Sequence, residues 1–180
     1  MTIYALSSGP GISGIAVIRI SGTKTKEVIS SLINGSLPKF KVATLKKIIN
    51  PKNGDLIDEG IIILFKSPNS YTGEDMAELH VHGSKAVVQE ILNTLEEFED
   101  CRLAEPGEFT KIALQNNKIN LLKAESIGDL IAAETELQRK QALRIMAGDS
   151  SEKFNNWREE LIKILADIEA KIDFPEEEIP

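Results

Sequence analysis

Three residues that can bind protons or ligands alternate near the middle of the chain. Glu78, His80 and His82 are separated by single apolar residues. Because successive side chains of a strand point to opposite faces, this spacing predicts that all three lie on one face. Three functional interpretations compete: a metal site, general acid–base chemistry, and a polar face with one ligand-binding carboxylate. A plain solvated face is the fourth, and a total of two histidines argues against the metal.

Two cations are candidates for binding an anionic or carbonyl group. Arg19 lies inside the apolar run 15–20, where a guanidinium must be paired, reach a ligand, or extend from a sheet edge to a surface carboxylate. Lys118 follows two asparagines just past a predicted helix. Alone, that position indicates only a helix cap or a solvated side chain.

A glycine-rich loop, residues 9–14, resembles a phosphate-binding loop at first sight. Such a loop needs a following Lys-Ser/Thr, or a strand before it and a helix after it. Here the glycines precede a strand, which favours a tight turn.

The elements that position these residues alternate between short strands and helices up to about residue 118. Apolar and β-branched runs predict strands over 3–6, 14–20, 42–49, 56–65, 76–81 and 101–104. Helical spacing predicts helices over 24–33 and 84–98, and a third that opens at 105–108. The fold class is therefore α+β, with a small mixed or antiparallel sheet and packed helices.

The chain from residue 119 onward contains only helical patterns. A narrow apolar stripe runs along the last predicted helix through Trp157, Leu161, Ile164, Leu165, Ile168 and Ile172. A helix with one apolar stripe needs a partner to cover it. We therefore expect these residues to be the front of a larger protein.

The composition limits the cellular compartments and the binding partners that we expect for this chain. The 180 residues carry a net charge of −7, which argues against this segment alone gripping a nucleic-acid backbone. Cys101 is the single cysteine, so neither an internal disulfide nor a cysteine-rich zinc cluster can form. No basic leader or apolar run of ~20 residues occurs, so we expect a cytoplasmic protein without a membrane segment.

Six segments in order along the chain resemble the N-terminal part of the MnmE (TrmE) family of tRNA-modification GTPases. Any one is weak, but their order makes the match specific. They are 14–22 (GIAVIRISG), 68–75 (PNSYTGED), 78–83 (ELHVHG), 104–110 (AEPGEFT), 117–121 (NKINL) and 172–177 (IDFPEE).

The resemblance implies two domains. Residues 1–118 would form a tetrahydrofolate-binding, aminomethyltransferase-like domain that also makes a homodimer contact. Residues 119–180 would be the first part of a discontinuous helical domain, truncated before the inserted GTPase domain. The family's phosphate-binding loop and C-terminal cysteine are absent from these 180 residues, so no catalytic residue, metal site or GTP hydrolysis is expected of the segment alone.

The family's activity is likewise an implication of the resemblance. With the FAD-dependent partner MnmG (GidA), members modify C5 of the tRNA wobble uridine, and the full protein uses GTP, Mg²⁺ and K⁺. The one-carbon unit comes from 5-formyl- or 5,10-methylene-tetrahydrofolate. This sequence departs from the pattern around the first loop, at Ile12, Ser13 and Ala16, and at Ser84.

The resemblance carries the folate contacts onto Arg19, Glu78 and Lys118. A pterin presents an N–H beside an exocyclic amine, and the Glu78 carboxylate could accept both. Arg19 and Lys118 could each meet a tail carboxylate or a ring carbonyl. Two alternatives stay open: a stand-alone folate-dependent aminomethyl or formyl transferase, favoured by the Glu78/His80/His82 face, and a purely architectural dimerisation module.

Overall fold

The structure is a computed structural model that describes residues 1–9 and 11–173. Pro10 of the glycine-rich loop and residues 174–177 of the last family-like segment lie outside the described residues. The chain divides after Lys118 into two compact units. We call residues 1–118 the sheet unit and residues 119–180 the helical unit.

The described residues of the sheet unit contain a six-stranded mixed sheet. The strands are β1 (Thr2–Leu6), β2 (Ser13–Gly22), β3 (Thr44–Ile49), β4 (Leu56–Phe65), β5 (Met76–Gly83) and β6 (Cys101–Leu103). Their order across the sheet is β3-β4-β5-β2-β1-β6. Each neighbouring pair is antiparallel except β1 with β6, which is parallel. The predicted α+β class with a mixed sheet is confirmed.

Two helices cover one face of this sheet and close its core. They are α1 (Thr25–Leu32) and α2 (Lys85–Glu96), and α2 begins where the Ser84 hydroxyl accepts a hydrogen bond from the Val87 backbone N–H. Apolar residues at alternating strand positions meet the apolar stripes of the two helices in one cluster. Its fully buried members include Ile18, Ile20, Ile29, Leu32, Ile62, Leu79, Ile91 and Leu95.

A loop and a short helix of the sheet unit lie near the residues discussed below. The loop, residues 66–75, joins β4 to β5, which are antiparallel neighbours. The helix α3 (Glu108–Gln115) begins after Gly107, whose φ of 76° lies in the left-handed region that glycine adopts without strain.

The described residues of the helical unit form helices α4 (Leu121–Ala132), α5 (Glu136–Ala147) and α6 (Asp149–Asp173). Thr135 and Gln138 form a reciprocal capping box at the start of α5. The predicted apolar stripe of α6 is largely solvent-exposed, with Trp157 at 57% and Leu161 at 65%. Among the described residues, no helix is both long and apolar enough to cross a bilayer.

Candidate functional site

Arg19 and Glu78 are direct cross-strand neighbours on the sheet face opposite the helical core. Ile18 and Ile20 flank Arg19 on β2 and are fully buried, as are Ala77 and Leu79 around Glu78 on β5. Since side chains alternate along each strand, Arg19 and Glu78 must point away from that core. The antiparallel register then sets them opposite one another.

The two side chains form an ion pair that uses only one carboxylate oxygen. Glu78 Oε1 accepts hydrogen bonds from Arg19 Nη2 at 2.8 Å and from Arg19 Nε at 3.1 Å. The side chains are 26% and 16% exposed, respectively. Charges that are this far removed from water require a partner, so the pair satisfies both groups. We call these two hydrogen bonds to Oε1 the Arg19–Glu78 fork; Glu78 Oε2 takes no part in it.

His80 lies beside this second oxygen without bonding to it. Its Nε2 is 3.5 Å from Glu78 Oε2, too far for a good hydrogen bond. That nitrogen is buried and has no hydrogen-bond partner among the described residues. An unpartnered buried polar atom costs about 1–3 kcal/mol. His80 Nε2 therefore has hydrogen-bonding capacity that no described protein group uses, and it lies next to Glu78 Oε2.

Two aromatic rings lie close to the Arg19 guanidinium. Its Cζ is 5.4 Å from the ring centroid of Tyr71 and 5.6 Å from that of Phe109, both within cation–π range. The Tyr71 hydroxyl is 2.8 Å from the hydroxyl of Thr110, which follows Phe109 on α3. This hydrogen bond holds the loop and the helix together at the site.

Buried hydrogen bonds fix the loop that carries Tyr71. The Thr72 hydroxyl is fully buried and lies 2.7 Å from the Ser21 hydroxyl on β2, two residues along the strand from Arg19. The Asn116 side chain donates to the Thr72 carbonyl oxygen at 2.8 Å. The loop is thus attached to β2 on one side and to the end of α3 on the other.

Lys118 lies beside the same loop. Gly73 has a φ of 82°, and a Cβ added there would come within 3.1 Å of Lys118 Cγ. Among the described residues, no hydrogen bond or ion pair joins the Lys118 ammonium to the Glu78 carboxylate. The structure therefore brings Arg19 and Glu78 into contact and places Lys118, which follows α3, beside the loop that carries Tyr71.

His82 alternates with buried residues as Glu78 and His80 do on β5, but its side chain pairs with Asp58 instead of with them. Its ring Nδ1 is 2.8 Å from Asp58 Oδ1, and its backbone N–H donates to Asp58 Oδ2. Burial raises the pKa of the Asp58 carboxyl, but hydrogen bonds from His82 and from the Glu59 backbone N–H outweigh it, so the pKa lies below its ordinary value. Within the described residues, no three histidine, cysteine or carboxylate side chains are grouped to hold a metal.

Sequence reasoning did not single out Tyr71, Phe109 or Asp58. Tyr71 and Phe109 both occur in segments quoted above, 68–75 and 104–110. An aromatic residue inside a polar, turn-rich loop is a signal that could have marked Tyr71. Phe109 carries no such signal, because its place depends on how α3 packs.

Two known protein families have models that match this chain. Residues 2–118 match the family model described as "GTP-binding protein TrmE N-terminus". Residues 121–180 match the one described as "MnmE helical domain". The chain belongs to the MnmE family.

Individual members of the MnmE family are similar along nearly the whole chain. Proteins called "tRNA modification GTPase MnmE" are 63% identical over 180 residues in Pelagibacter ubique and 50% identical over 179 residues in Rickettsia typhi. The one from Brucella anthropi is 48% identical over 176 residues. The alignments cover 100%, 99% and 98% of this chain but only 41%, 40% and 39% of those relatives.

Proposed function

We propose that residues 1–118 bind a reduced folate, 5-formyl- or 5,10-methylene-tetrahydrofolate, through Arg19, Glu78 and Lys118. The observation that carries the proposal is the buried His80 Nε2, which has no hydrogen-bond partner among the described residues and lies 3.5 Å from Glu78 Oε2. The Arg19 guanidinium that pairs with this carboxylate lies close to two aromatic rings. A site of this kind suits a flat heterocycle with hydrogen-bond donors on one edge.

The chemistry of the residues fits such a ligand group by group. A carboxylate accepts the ring N–H and exocyclic amine of a pterin edge, and Glu78 supplies it. His80 Nε2 can donate or accept according to its tautomer. Arg19 and Lys118 supply cations for the tail carboxylates or a ring carbonyl. A tetrahydrofolate bound here would supply the one-carbon unit.

The wider role is that of the named relatives. We propose that this chain is the N-terminal part of a cytoplasmic GTPase that modifies C5 of the tRNA wobble uridine with the FAD-dependent protein MnmG. The support is the two family matches and the name shared by the relatives. GTP, Mg²⁺ and K⁺ would act in a domain outside residues 1–180, and residues 119–180 would be the first part of the helical domain.

We further propose that the sheet unit forms the homodimer contact. Two apolar side chains are exposed on the sheet near the site: Leu45 at 62% and Ile61 at 40%. They are cross-strand neighbours, and Ile61 is in turn opposite His80. Apolar area that lies next to a ligand site suits a second copy of the chain. An architectural module without a ligand would dimerise equally well with and without folate.

Isothermal titration calorimetry with 5-formyl-tetrahydrofolate tests the folate proposal. Glu78→Gln keeps the shape of the side chain and removes its charge. A charge-assisted hydrogen bond contributes about 1.5–3 kcal/mol, so we expect the affinity to fall by about 10- to 100-fold. Glu59→Gln, at an exposed position of β4, is the matched control and should bind normally.

Two results would overturn the proposal. One is a folded wild-type chain that binds no reduced folate. The other is a Glu78→Gln variant that binds as tightly as the Glu59→Gln control.

A further inference from the structure

The Arg19 side chain presents to Glu78 neighbouring N–H donors of the kind that the edge of a pterin would present. A guanidinium is planar and carries parallel N–H donors that match a carboxylate. The 2-aminopyrimidinone edge of a pterin is also planar, with a ring N–H beside an exocyclic amine. Either group can therefore occupy the same side of the same carboxylate.

The hydrogen bonds of Glu78 prevent both groups from binding fully at once. Arg19 Nε and Nη2 both donate to Oε1, which leaves that oxygen no further strong acceptor position. A pterin edge that engages both oxygens must take Oε1 from at least one of these donors. Ligand binding and the Arg19–Glu78 fork are thus in competition.

The surroundings of the guanidinium suit a planar ligand ring as well as they suit Arg19. Tyr71 and Phe109 both lie within cation–π distance of it. Aromatic faces stack on planar heterocycles and on guanidinium groups alike. If Arg19 moves away, both rings become available to the incoming group.

Displacement would leave Arg19 half-buried and unpaired unless the ligand supplies an anion. A charge without a partner is costly at such a position. A folate carries carboxylates on its glutamyl tail, so the tail can pair with Arg19 once Arg19 has released Glu78. A pterin without the tail can compete for Glu78 but supplies no anion to pair with Arg19.

We propose that Arg19 is a stand-in for the ligand: it pairs with Glu78 until a folate binds, and it then exchanges that partner for the tail of the folate. The identity of the ligand rests on the function proposed above; the exchange itself rests on the Arg19–Glu78 fork and the two rings. The consequence is a preference for tailed folates over free pterins, produced by a side chain of the site itself.

Removal of Arg19 should affect the two ligand types differently. In Arg19→Ala, 6-hydroxymethyl-tetrahydropterin should bind on the order of tenfold more tightly than in the wild type, because its competitor is gone. For 5-formyl-tetrahydrofolate, the lost tail contact offsets that gain, so the tailed-to-tailless affinity ratio falls. Calorimetry on the full chain measures both affinities.

Methylguanidinium provides a test that does not depend on folate. It should bind Arg19→Ala and shift the NMR signals of the His80 ring, which lies 3.5 Å from Glu78. The same titration should leave those signals unmoved in the wild type and in Arg19→Ala/Glu78→Gln. Arg19→Lys, which lacks the two-donor fork, should change both readouts in the same direction by less, and it replaces Arg19→Ala if that variant does not fold.

The proposal is overturned if the tailless pterin binds Arg19→Ala no more tightly than it binds the wild type, or if methylguanidinium moves the His80 signals equally in both proteins. Failure of the function proposed above looks different. In that case no reduced folate binds the wild type, whereas methylguanidinium still distinguishes Arg19→Ala from it.

Discussion

The sheet unit and the helical unit both contain elements with an apolar side, but the two units differ in how far that side is covered. In the sheet unit, alternating strand residues such as Ile18, Ile62 and Leu79 are fully buried against two helices. In the helical unit, α6 exposes more than half of Trp157 and Leu161. A hydrophobic stripe therefore predicts which face of an element will be covered, and it does not say that the cover is present.

The largest expected difference between the units concerns core stability. Leu79→Ala removes a fully buried side chain and should lower the free energy of unfolding of the sheet unit by about 2–5 kcal/mol. Leu161→Ala is the matched change on α6 and should alter stability by less than about 0.5 kcal/mol, because the side chain is already exposed. Urea titration followed by hydrogen exchange on β5 and on α6 measures the two units separately.

Equal losses in the two variants would contradict this comparison. They would mean that the α6 stripe is covered in solution. The next experiment would then be sedimentation, to ask whether a second copy covers it.

A smaller difference between the two units is expected in how their stability depends on pH in acid. Hydrogen bonds from Arg102 lower the pKa of Glu108 in the sheet unit to about 2, against the effect of burial; the Glu105 backbone N–H also donates to Glu108. Because the folded pKa lies below the ordinary value of 4.5, this stabilisation is present above pH 4.5 and is lost as the pH falls towards 2. Hydrogen bonding from Arg139 also lowers the pKa of Glu136 in the helical unit, but that group is fully exposed.

The midpoint of thermal unfolding, measured between pH 5 and pH 3, tests the contributions of Glu108 and Glu136. Glu108→Gln should flatten the acid dependence of the midpoint, and Glu136→Gln should change it little. High salt should reduce any effect of Glu136 more than that of Glu108, since exposed pairs are screened first. A Glu108→Gln midpoint that falls with acid as steeply as that of the wild type would contradict the assignment.

The sequence was sufficient to predict most of the elements. Strands over 56–65 and 76–81 and a helix over 84–98 correspond to β4, β5 and α2, with α2 ending two residues before the predicted limit. Local signals explain this success: the apolar run of β4, the alternation along β5, and the helical spacing of apolar residues along α2. The neighbours β2 and β5 were not predictable, because two strands and a helix separate them along the chain.

The candidate site was predictable to the same extent. Alternation predicted that Glu78 and His80 share one face of a strand, and the need to pair a guanidinium in an apolar run predicted a partner or ligand for Arg19. The identity of that partner follows only from the β2–β5 register. The proximity of Tyr71 and Phe109 depends on hydrogen bonds between a loop and two other elements, which no local pattern encodes.

NMR mapping of 5-formyl-tetrahydrofolate on the full chain tests the central claim most directly. We expect the largest amide shifts in the sheet unit, at Arg19, Tyr71–Gly73, Glu78–His80 and Lys118, and no change in α5 and α6. Shifts centred on α5 or α6, or no shifts in a folded sample, would contradict the claim that the Arg19–Glu78 site binds the folate.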